Sequence, residues 1–252
     1  MSDKQNIEEH LVSQVAEKSV SSQLDTVEEI DIQVQTDIFK LAQGQADGVT
    51  FAGQGLVTKQ NIRVQEIKIQ TDTISINPLR AIFGQIQLEK PVNVLAQIKL
   101  TEADINSALS ADFTHNLVQS FDLDVDGEII SFALQHLEIF LPNDEQIGFN
   151  GIFLLTENNN SRPLSFTAIL RPRTPSQSIM LESFHCTQGG GISLEIIVSL
   201  MQKVKELVNL PYFVWEGMKI TIKDMQIQER EVLVLVMADV KQIPATFTEI
   251  ST

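Results

Sequence analysis

The hydrophobic pattern of residues 27–77 is almost continuously that of β-strands. Apolar side chains alternate with polar ones in short runs, at residues 30–34, 62–64, 67–69 and 74–76. A period of two places one row of side chains on one face of a sheet. This stretch therefore predicts several strands that share an apolar face.

The tripeptide Gln-Thr-Asp ends two of these runs, at residues 35–37 and 70–72. Each tripeptide is soon followed by a short apolar segment with one basic residue, at 38–41 and 78–83. Connections between strands are usually polar, so these segments indicate a surface with a role of its own. If both lie at the same end of the sheet they form a joint rim, and at opposite ends they do not.

Helical spacing appears in two long segments. Residues 5–24 place Ile7, Leu11, Val15 and Ala16 on one stripe, and residues 194–209 carry a wider apolar stripe behind a Ser193 cap. A capping box at residues 101–104 predicts a shorter helix that runs to about Leu109, and a further helical piece is expected at 112–119.

The rest of the chain predicts antiparallel strands. They are expected at residues 86–100, in a hairpin over 121–141 that turns at Asp126-Gly127, and at 148–155, 164–170, 179–186, 213–227 and 231–240. Pro91 favours an edge position or a bulge. The plan is α+β, with helices covering the apolar face of a sheet, in a single domain over 1–243 with a polar tail at 244–252.

Composition and charge narrow the function classes. The chain has 252 residues, 43% of them apolar, and a formal net charge of −15. Such acidity argues against nucleic-acid binding and against broad adsorption to anionic membranes, but it leaves local apolar contact with lipid open. A single cysteine, no apolar run of about 20 residues and no apolar signal core predict a soluble, cytoplasmic protein or a peripheral membrane protein.

Candidate catalytic and metal-binding residues are few. His185 and Cys186 are adjacent in a predicted strand, which directs their side chains to opposite faces, so a hydrolase built around either is the weaker alternative. Three alternating aspartates, at 122, 124 and 126, resemble the start of a calcium loop, but Ala133 stands where the bidentate Glu belongs. The sequence predicts a non-enzymatic protein with no metal and no cofactor.

The apolar residues of the connections allow two interpretations. They fill an ordinary core, or they line a groove for an apolar ligand. In the second case each buried methylene of an acyl chain contributes about 0.8 kcal/mol.

A family resemblance favours the groove. Residues 26–37, 40–41, 44–47, 53–57, 70–79 and 100–106 together resemble the LmeA-like family of bacterial phospholipid-binding proteins, particularly its cyanobacterial members, and the likeness covers roughly residues 5–243. The resemblance implies a tubular lipid-binding (TULIP-like) fold, in which a long curved antiparallel β-sheet wraps around long amphipathic helices and encloses an apolar tunnel. The strong acidity leaves the lipid class and the compartment open.

We therefore expect non-enzymatic binding or transfer of a phospholipid or another acyl-chain lipid, with a protein partner unknown. The predicted lining consists of Phe39, Leu41, Leu79, Ile82, Phe83, Ile197, Leu200 and Val204. Lys40 and Arg80 are the predicted contacts of the phosphate headgroup. The rival is a scaffold protein with a fully packed core, which binds a protein partner at a membrane.

Overall fold

The computed structural model describes residues 10–242, except 11, 15, 19, 23, 60, 78–86, 111–119, 159, 189–192, 216 and 217. These residues form mostly antiparallel sheet with few helices, which confirms the α+β class. The helix predicted at 112–119 and the tail at 244–252 lie outside the described residues.

The strands and helices follow one another along the chain with short connections. The strands are β1 Leu24–Thr26, β2 Glu29–Gln35, β3 Gln45–Ala46, β4 Gly48–Thr58, β5 Arg63–Thr71, β6 Ile74–Ser75, β7 Val92–Thr101, β8 Ser120–Val125, β9 Glu128–Asn143, β10 Gln146–Glu157, β11 Asn160–Arg171, β12 Met180–Gln188, β13 Phe213–Trp215, β14 Met218–Gln228 and β15 Glu231–Val240. The helices are α1 Ile38–Ala42, α2 Glu102–Ser110 and α3 Leu194–Val208. The described residues between 10 and 21 are also helical, and we call them the N-terminal helical segment.

Three sheets organise these strands. An eight-stranded sheet has the order β1-β4-β5-β7-β15-β14-β13, with β2 also paired to β4. A five-stranded sheet has the order β12-β11-β10-β9-β8, and β3 pairs with β6 in a small two-stranded sheet. The chain divides into two compact units: unit 1 is Met1–Lys99, Pro211–Lys223 and Val234–Thr252, and unit 2 is Leu100–Leu210 and Asp224–Leu233.

Unit 2 has a closely packed aromatic core on its five-stranded sheet. A continuous row of rings runs across the sheet with one phenylalanine from each strand, in the order Phe121, Phe132, Phe153, Phe166 and Phe184. Successive ring centroids lie 5.3, 5.9, 4.9 and 5.4 Å apart. These separations fall in the range at which aromatic pairs attract one another beyond their burial. Two α3 side chains, Ile196 and Leu200, are buried in the same cluster.

Local sequence signals fixed several of the turns and caps in unit 2. In the predicted capping box, the Thr101 backbone N–H donates to Asp104 Oδ2 at 3.0 Å and the Asp104 N–H donates to Thr101 Oγ1 at 3.1 Å. Asp126 and Gly127 both have positive φ, 54° and 87°, as the tight hairpin turn between β8 and β9 requires. Both predictions are confirmed.

The position predicted for Pro91 is wrong. Strand β7 begins at Val92, directly after the proline, and it lies between β5 and β15 instead of at an edge. Because Pro91 precedes the strand, its missing backbone N–H removes no hydrogen bond from the β-ladder. Asp72 fixes the start of β7 by accepting hydrogen bonds from the Asn93 backbone N–H at 3.0 Å and from its side-chain amide at 2.7 Å.

The N-terminal helical segment contacts β2 through polar side chains. The backbone N–H groups of Val34 and Ile32 donate to Ser13 Oγ and Glu17 Oε1, each at 3.1 Å. These two side chains occupy donors on the side of β2 that does not face β4. Such capping protects a strand from pairing with another chain.

Candidate functional site

The neighbouring strands β2, β4, β5 and β7 of unit 1 align their apolar residues in register. One row runs across all four strands through the pairs Ile32↔Phe51, Phe51↔Ile69 and Ile69↔Ala96. The adjacent rows contain the pairs Ile30↔Gly53, Gly53↔Ile67 and Ile67↔Ile98, together with Val34↔Val49 and Thr71↔Val94. Directly paired residues point to the same face of a sheet. We call the ten apolar residues of these rows the apolar sheet face: Ile30, Ile32, Val34, Val49, Phe51, Ile67, Ile69, Val94, Ala96 and Ile98.

The apolar sheet face is incompletely covered. Only Ile32 and Ala96 are buried, at 4% and 9% exposure, and the other eight side chains are half-buried. In the core of unit 2, by contrast, Phe132, Leu155 and Leu164 are completely inaccessible to solvent. Unit 1 therefore keeps a contiguous apolar surface that solvent partly reaches, which is the property of a ligand-binding surface more than of a closed core.

The two Gln-Thr-Asp tripeptides lie at the same end of this sheet. Gln35 at the end of β2 pairs with Gly48, and Gln70 near the end of β5 pairs with Thr50, so both strands finish beside the start of β4. The Val49 backbone N–H also donates to Thr71 Oγ1 at 3.0 Å. The two strand ends therefore lie at one end of the sheet, whereas the second apolar connection, 78–83, lies outside the described residues.

Hydrogen bonds join the chain segments that follow the two tripeptides. Residues of β3 and β6 pair as Gln45↔Ser75 and Ala46↔Ile74, and the Ile76 N–H donates to the Gly44 carbonyl at 2.8 Å. Gly44 has a φ of 71° and abuts the Ile76 carbonyl, so a side chain has no room there. We call residues 36–47 and 71–77 the rim.

Helix α1 holds two apolar side chains outward from the rim. The Asp37 side chain caps its first turn by accepting from the backbone N–H groups of Phe39 and Lys40, both at 2.9 Å. Phe39 is 78% exposed and Leu41 is 42% exposed. The sequence predicts these residues in the lining of an apolar groove, and in the structure they follow the end of β2, at one end of the apolar sheet face.

The predicted headgroup contact Lys40 is already paired with carboxylates. Its ammonium donates to both oxygens of Asp47, at 2.8 and 2.6 Å, and lies 3.8 Å from Asp37 Oδ2. The hydrogen bond to Asp47 is the main cause that raises the pKa of Lys40 above its ordinary value. A phosphate that contacts Lys40 must therefore compete with Asp47.

The remaining predicted site residues fall into two groups. Leu79, Arg80, Ile82 and Phe83 lie outside the described residues. On α3 of unit 2, Leu200 is fully buried, Val204 packs against the aromatic core and Ile197 is half-buried. The structure thus brings Phe39, Lys40 and Leu41 together on one short helix and shows Leu200 and Val204 in the packing of unit 2.

Sequence reasoning missed the role of Asp47 and of Asp72. Asp47 neutralises Lys40 across the turn that contains Gly44, and Asp72 fixes the start of β7 at the same end of the sheet. The available signal was the spacing of Lys40 and Asp47 on either side of a glycine turn, which places opposite charges within reach of each other.

Unit 2 contains a concave surface. It is an open groove of ≈ 340 Å³ lined by Asp124, Val125, Asp126, Leu194, Glu195, Val198 and Ser199. The backbone N–H of Glu195 and the hydroxyl of Ser193 lower the pKa of the Glu195 carboxyl, so it is firmly ionised at neutral pH. Among the described residues, no group of three His, Cys, Asp or Glu side chains is arranged to hold a metal ion.

The residues of the predicted hydrolase alternative are on β12. His185 pairs with Thr167 and Cys186 pairs with Phe166, so the two neighbours alternate along β12, whose register with β11 shifts directly beyond Cys186. Partial desolvation raises the pKa of the exposed Cys186 thiol, which favours the less nucleophilic protonated form.

Within the part of the chain that the structure describes, no helix is long and apolar enough to span a lipid bilayer.

No curated protein and no solved structure matches the chain. The family model for LmeA-like phospholipid-binding proteins matches residues 3–237, nearly the whole length. The chain therefore belongs to the LmeA-like phospholipid-binding family.

Proposed function

We propose that the protein binds a phospholipid without chemically changing it, and that the acyl chains lie along the apolar sheet face of unit 1. The observation that carries this proposal is the half-burial of eight of the ten apolar side chains in register on four neighbouring strands. An apolar surface of this kind gains free energy when a ligand removes it from water. The family membership supports phospholipid as the ligand class.

The number of buried methylenes determines how tightly an acyl-chain ligand binds. Ten buried methylenes contribute about 8 kcal/mol at about 0.8 kcal/mol each. Association itself costs roughly 4–15 kcal/mol, so ten methylenes offset only the lower part of that range. Two acyl chains therefore supply more apolar contact than one, which favours a diacyl phospholipid over a single-chain lipid.

The headgroup is proposed to lie at the rim. Lys40 contacts the phosphate there by exchanging one Asp47 oxygen for a phosphate oxygen, with Arg80 as the second proposed contact. The mouth of the lipid-binding site, beside the rim, is proposed to contain Phe39, Leu41, Leu79, Ile82 and Phe83. The sequence-predicted contribution of Ile197, Leu200 and Val204 is not needed for this proposal. Transfer of the lipid between membranes and enclosure of its chains in a tunnel are further proposals. The uptake measurement described below bears on transfer.

Neighbouring positions on β5 give a matched pair of variants for the test. Ile69 belongs to the apolar sheet face, whereas Gln70 is exposed and points to the opposite face. Ile69→Glu and Gln70→Glu therefore add the same carboxylate on opposite sides of one strand. Native mass spectrometry, with organic extraction of the purified protein, measures bound phospholipid, and uptake of a fluorescent phospholipid measures exchange.

The proposal predicts that wild type and Gln70→Glu carry intact phospholipid and take up the fluorescent analogue. Ile69→Glu is expected to lose both, while circular dichroism shows that its sheet content remains. A lipid-free wild-type protein that also takes up no analogue would overturn the proposal. Recovery of lyso-phospholipid and free fatty acid in place of intact lipid would contradict a non-enzymatic role.

A further inference from the structure

We infer that helix α1 is a membrane-inserting tip and that its partner is a lipid surface with electrically neutral headgroups. The inference rests on the proposed function in taking phospholipid as the partner class, and it adds a residue-level contact and a charge preference. The contact is made by Phe39 and Leu41, which are 78% and 42% exposed. It is distinct from the apolar sheet face, which holds the bound lipid.

The tip is held in a fixed conformation. Asp37 caps its first turn, the Gln43 N–H closes the last turn on the carbonyls of Phe39 and Lys40, and Gly44 accepts from the Ile76 N–H. Lys40 ties the helix to Asp47. Phe39 is therefore presented to solvent by a capped turn that is bonded at both ends, and little conformational entropy remains to be lost when it enters an apolar medium.

The arrangement of the two side chains favours a fluid partner over a protein groove. Successive residues of an α-helix are about 100° apart, so Phe39 and Leu41 lie on nearly opposite sides of the helix axis, about 200° apart. Ala42, one residue further, is exposed as well. A protein groove receives one face of a helix, with anchors spaced three or four residues apart. Lipid surrounds an inserted tip and contacts both sides.

The charges around the tip determine which lipid surface fits. The single ammonium of Lys40 is contacted by two carboxylates, Asp37 and Asp47, so the cluster is net negative. Asp72, at the end of β5, adds another exposed carboxylate to the rim. An anionic surface repels this arrangement, whereas a zwitterionic surface does not. The tip therefore matches neutral headgroups, and its attachment depends on apolar insertion with little sensitivity to salt.

Vesicle flotation of the full chain tests the inference. The probes are vesicles of pure phosphatidylcholine and vesicles of phosphatidylcholine mixed with phosphatidylglycerol. We expect wild type to float with the neutral vesicles at low and high salt, and to bind less as the anionic fraction rises. Phe39→Ser is expected to lower the partition coefficient about tenfold or more, the value of burying one large apolar side chain.

Two variants serve as controls. Phe39→Leu keeps an apolar tip and is expected to restore most of the binding, and Ile129→Ser removes a comparably exposed apolar residue, 60% exposed, from unit 2 without effect. The inference is overturned if Phe39→Ser floats as well as wild type, or if wild type binds only anionic vesicles and is released by salt. If purified wild type contains phospholipid but binds neither kind of vesicle, this inference alone is overturned. Vesicle binding that needs Phe39, in a protein that never holds a lipid, contradicts only the proposed function.

Discussion

The Lys40 ammonium donates to both carboxylate oxygens of Asp47, at 2.8 and 2.6 Å, across the turn that follows helix α1. This pairing removes the net positive charge that a lysine among apolar residues would otherwise present to a phosphate. The rim is consequently acidic, in keeping with the formal net charge of −15 for the whole chain. Recognition of an anionic headgroup through Lys40 is thus weakened by the neighbouring aspartate.

Removing that carboxylate should change the lipid preference. Asp47→Asn leaves the Lys40 ammonium with only the longer contact to Asp37, at 3.8 Å, and one unit of charge near an anionic surface contributes about 1 kcal/mol, or about fivefold in affinity. We expect Asp47→Asn to bind phosphatidylglycerol-containing vesicles about fivefold more tightly than wild type does in flotation. Asp31→Asn makes the same charge change elsewhere on unit 1, and an equal gain in that control would attribute the effect to net charge instead of to Lys40.

The stability of the contact between the two rim segments should be sensitive to a single methyl group at Gly44. Gly44 and Gly127 both have positive φ, 71° and 87°, but an added Cβ meets the Ile76 carbonyl at Gly44 and meets nothing within 4 Å at Gly127. Gly127→Ala therefore bears only the backbone strain of about 1 kcal/mol, whereas Gly44→Ala also disrupts the contact between the two rim segments. Urea unfolding should show a loss for Gly44→Ala that exceeds that of Gly127→Ala by about 1 kcal/mol or more. Equal losses would mean that the rim junction yields without strain.

The core of unit 2 should depend strongly on its central phenylalanine. Phe153 is 5% exposed and its ring contacts those of Phe121, Phe132 and Phe166. Phe153→Ala should lower the free energy of unfolding by about 3–5 kcal/mol, the usual range for such a truncation. The exposed Ile129 of the neighbouring strand serves as the control, and Ile129→Ala should change stability by no more than about 0.5 kcal/mol. A similar small loss for Phe153→Ala would show that the aromatic row is not the core.

Helix α3 should lose stability in acid through Glu195. Its own backbone N–H and the Ser193 hydroxyl lower the pKa of the folded-state carboxyl below the ordinary 4.5. A lowered folded-state pKa means that the stabilisation is present above 4.5 and is lost as the pH falls through the folded-state pKa. Glu195→Gln should therefore be less stable than wild type at neutral pH, and the difference should vanish in acid.

Urea midpoints measured by circular dichroism across this pH range provide the test. Glu145→Gln, at the exposed turn between β9 and β10, is the control and should show no such convergence. A stability difference for Glu195→Gln that stays constant down to strongly acidic pH would contradict the role of Glu195.

Much of the fold is encoded in short-range pattern. Alternation on β2 and β5, the capping box at Thr101 and the turn at Gly127 are local features, because neighbouring residues determine them. The strand order was not predictable in this way, since it depends on contacts between distant parts of the chain. That is why Pro91 was expected at an edge and instead precedes a strand with a partner on each side.

The candidate site was likewise predictable only where neighbouring residues determine it. The sequence identified Phe39, Lys40 and Leu41 because apolar residues in a connection are unusual. It did not show that Asp47 satisfies Lys40, because that contact depends on the turn at Gly44. Nor did the pattern distinguish the half-buried rows of unit 1 from the buried rows of unit 2, since apolar alternation is the same in both and only packing separates them.

The location of the bound acyl chain is the most direct test of the account. A phospholipid with a photoactivatable diazirine in one acyl chain is loaded into the purified protein, irradiated, and the cross-linked peptides are identified by mass spectrometry. The account predicts cross-links in β2, β4, β5 and β7, concentrated at the residues of the apolar sheet face and absent from Ile69→Glu. Cross-links confined to the five-stranded sheet of unit 2, or an unchanged cross-linking pattern in Ile69→Glu, would contradict it.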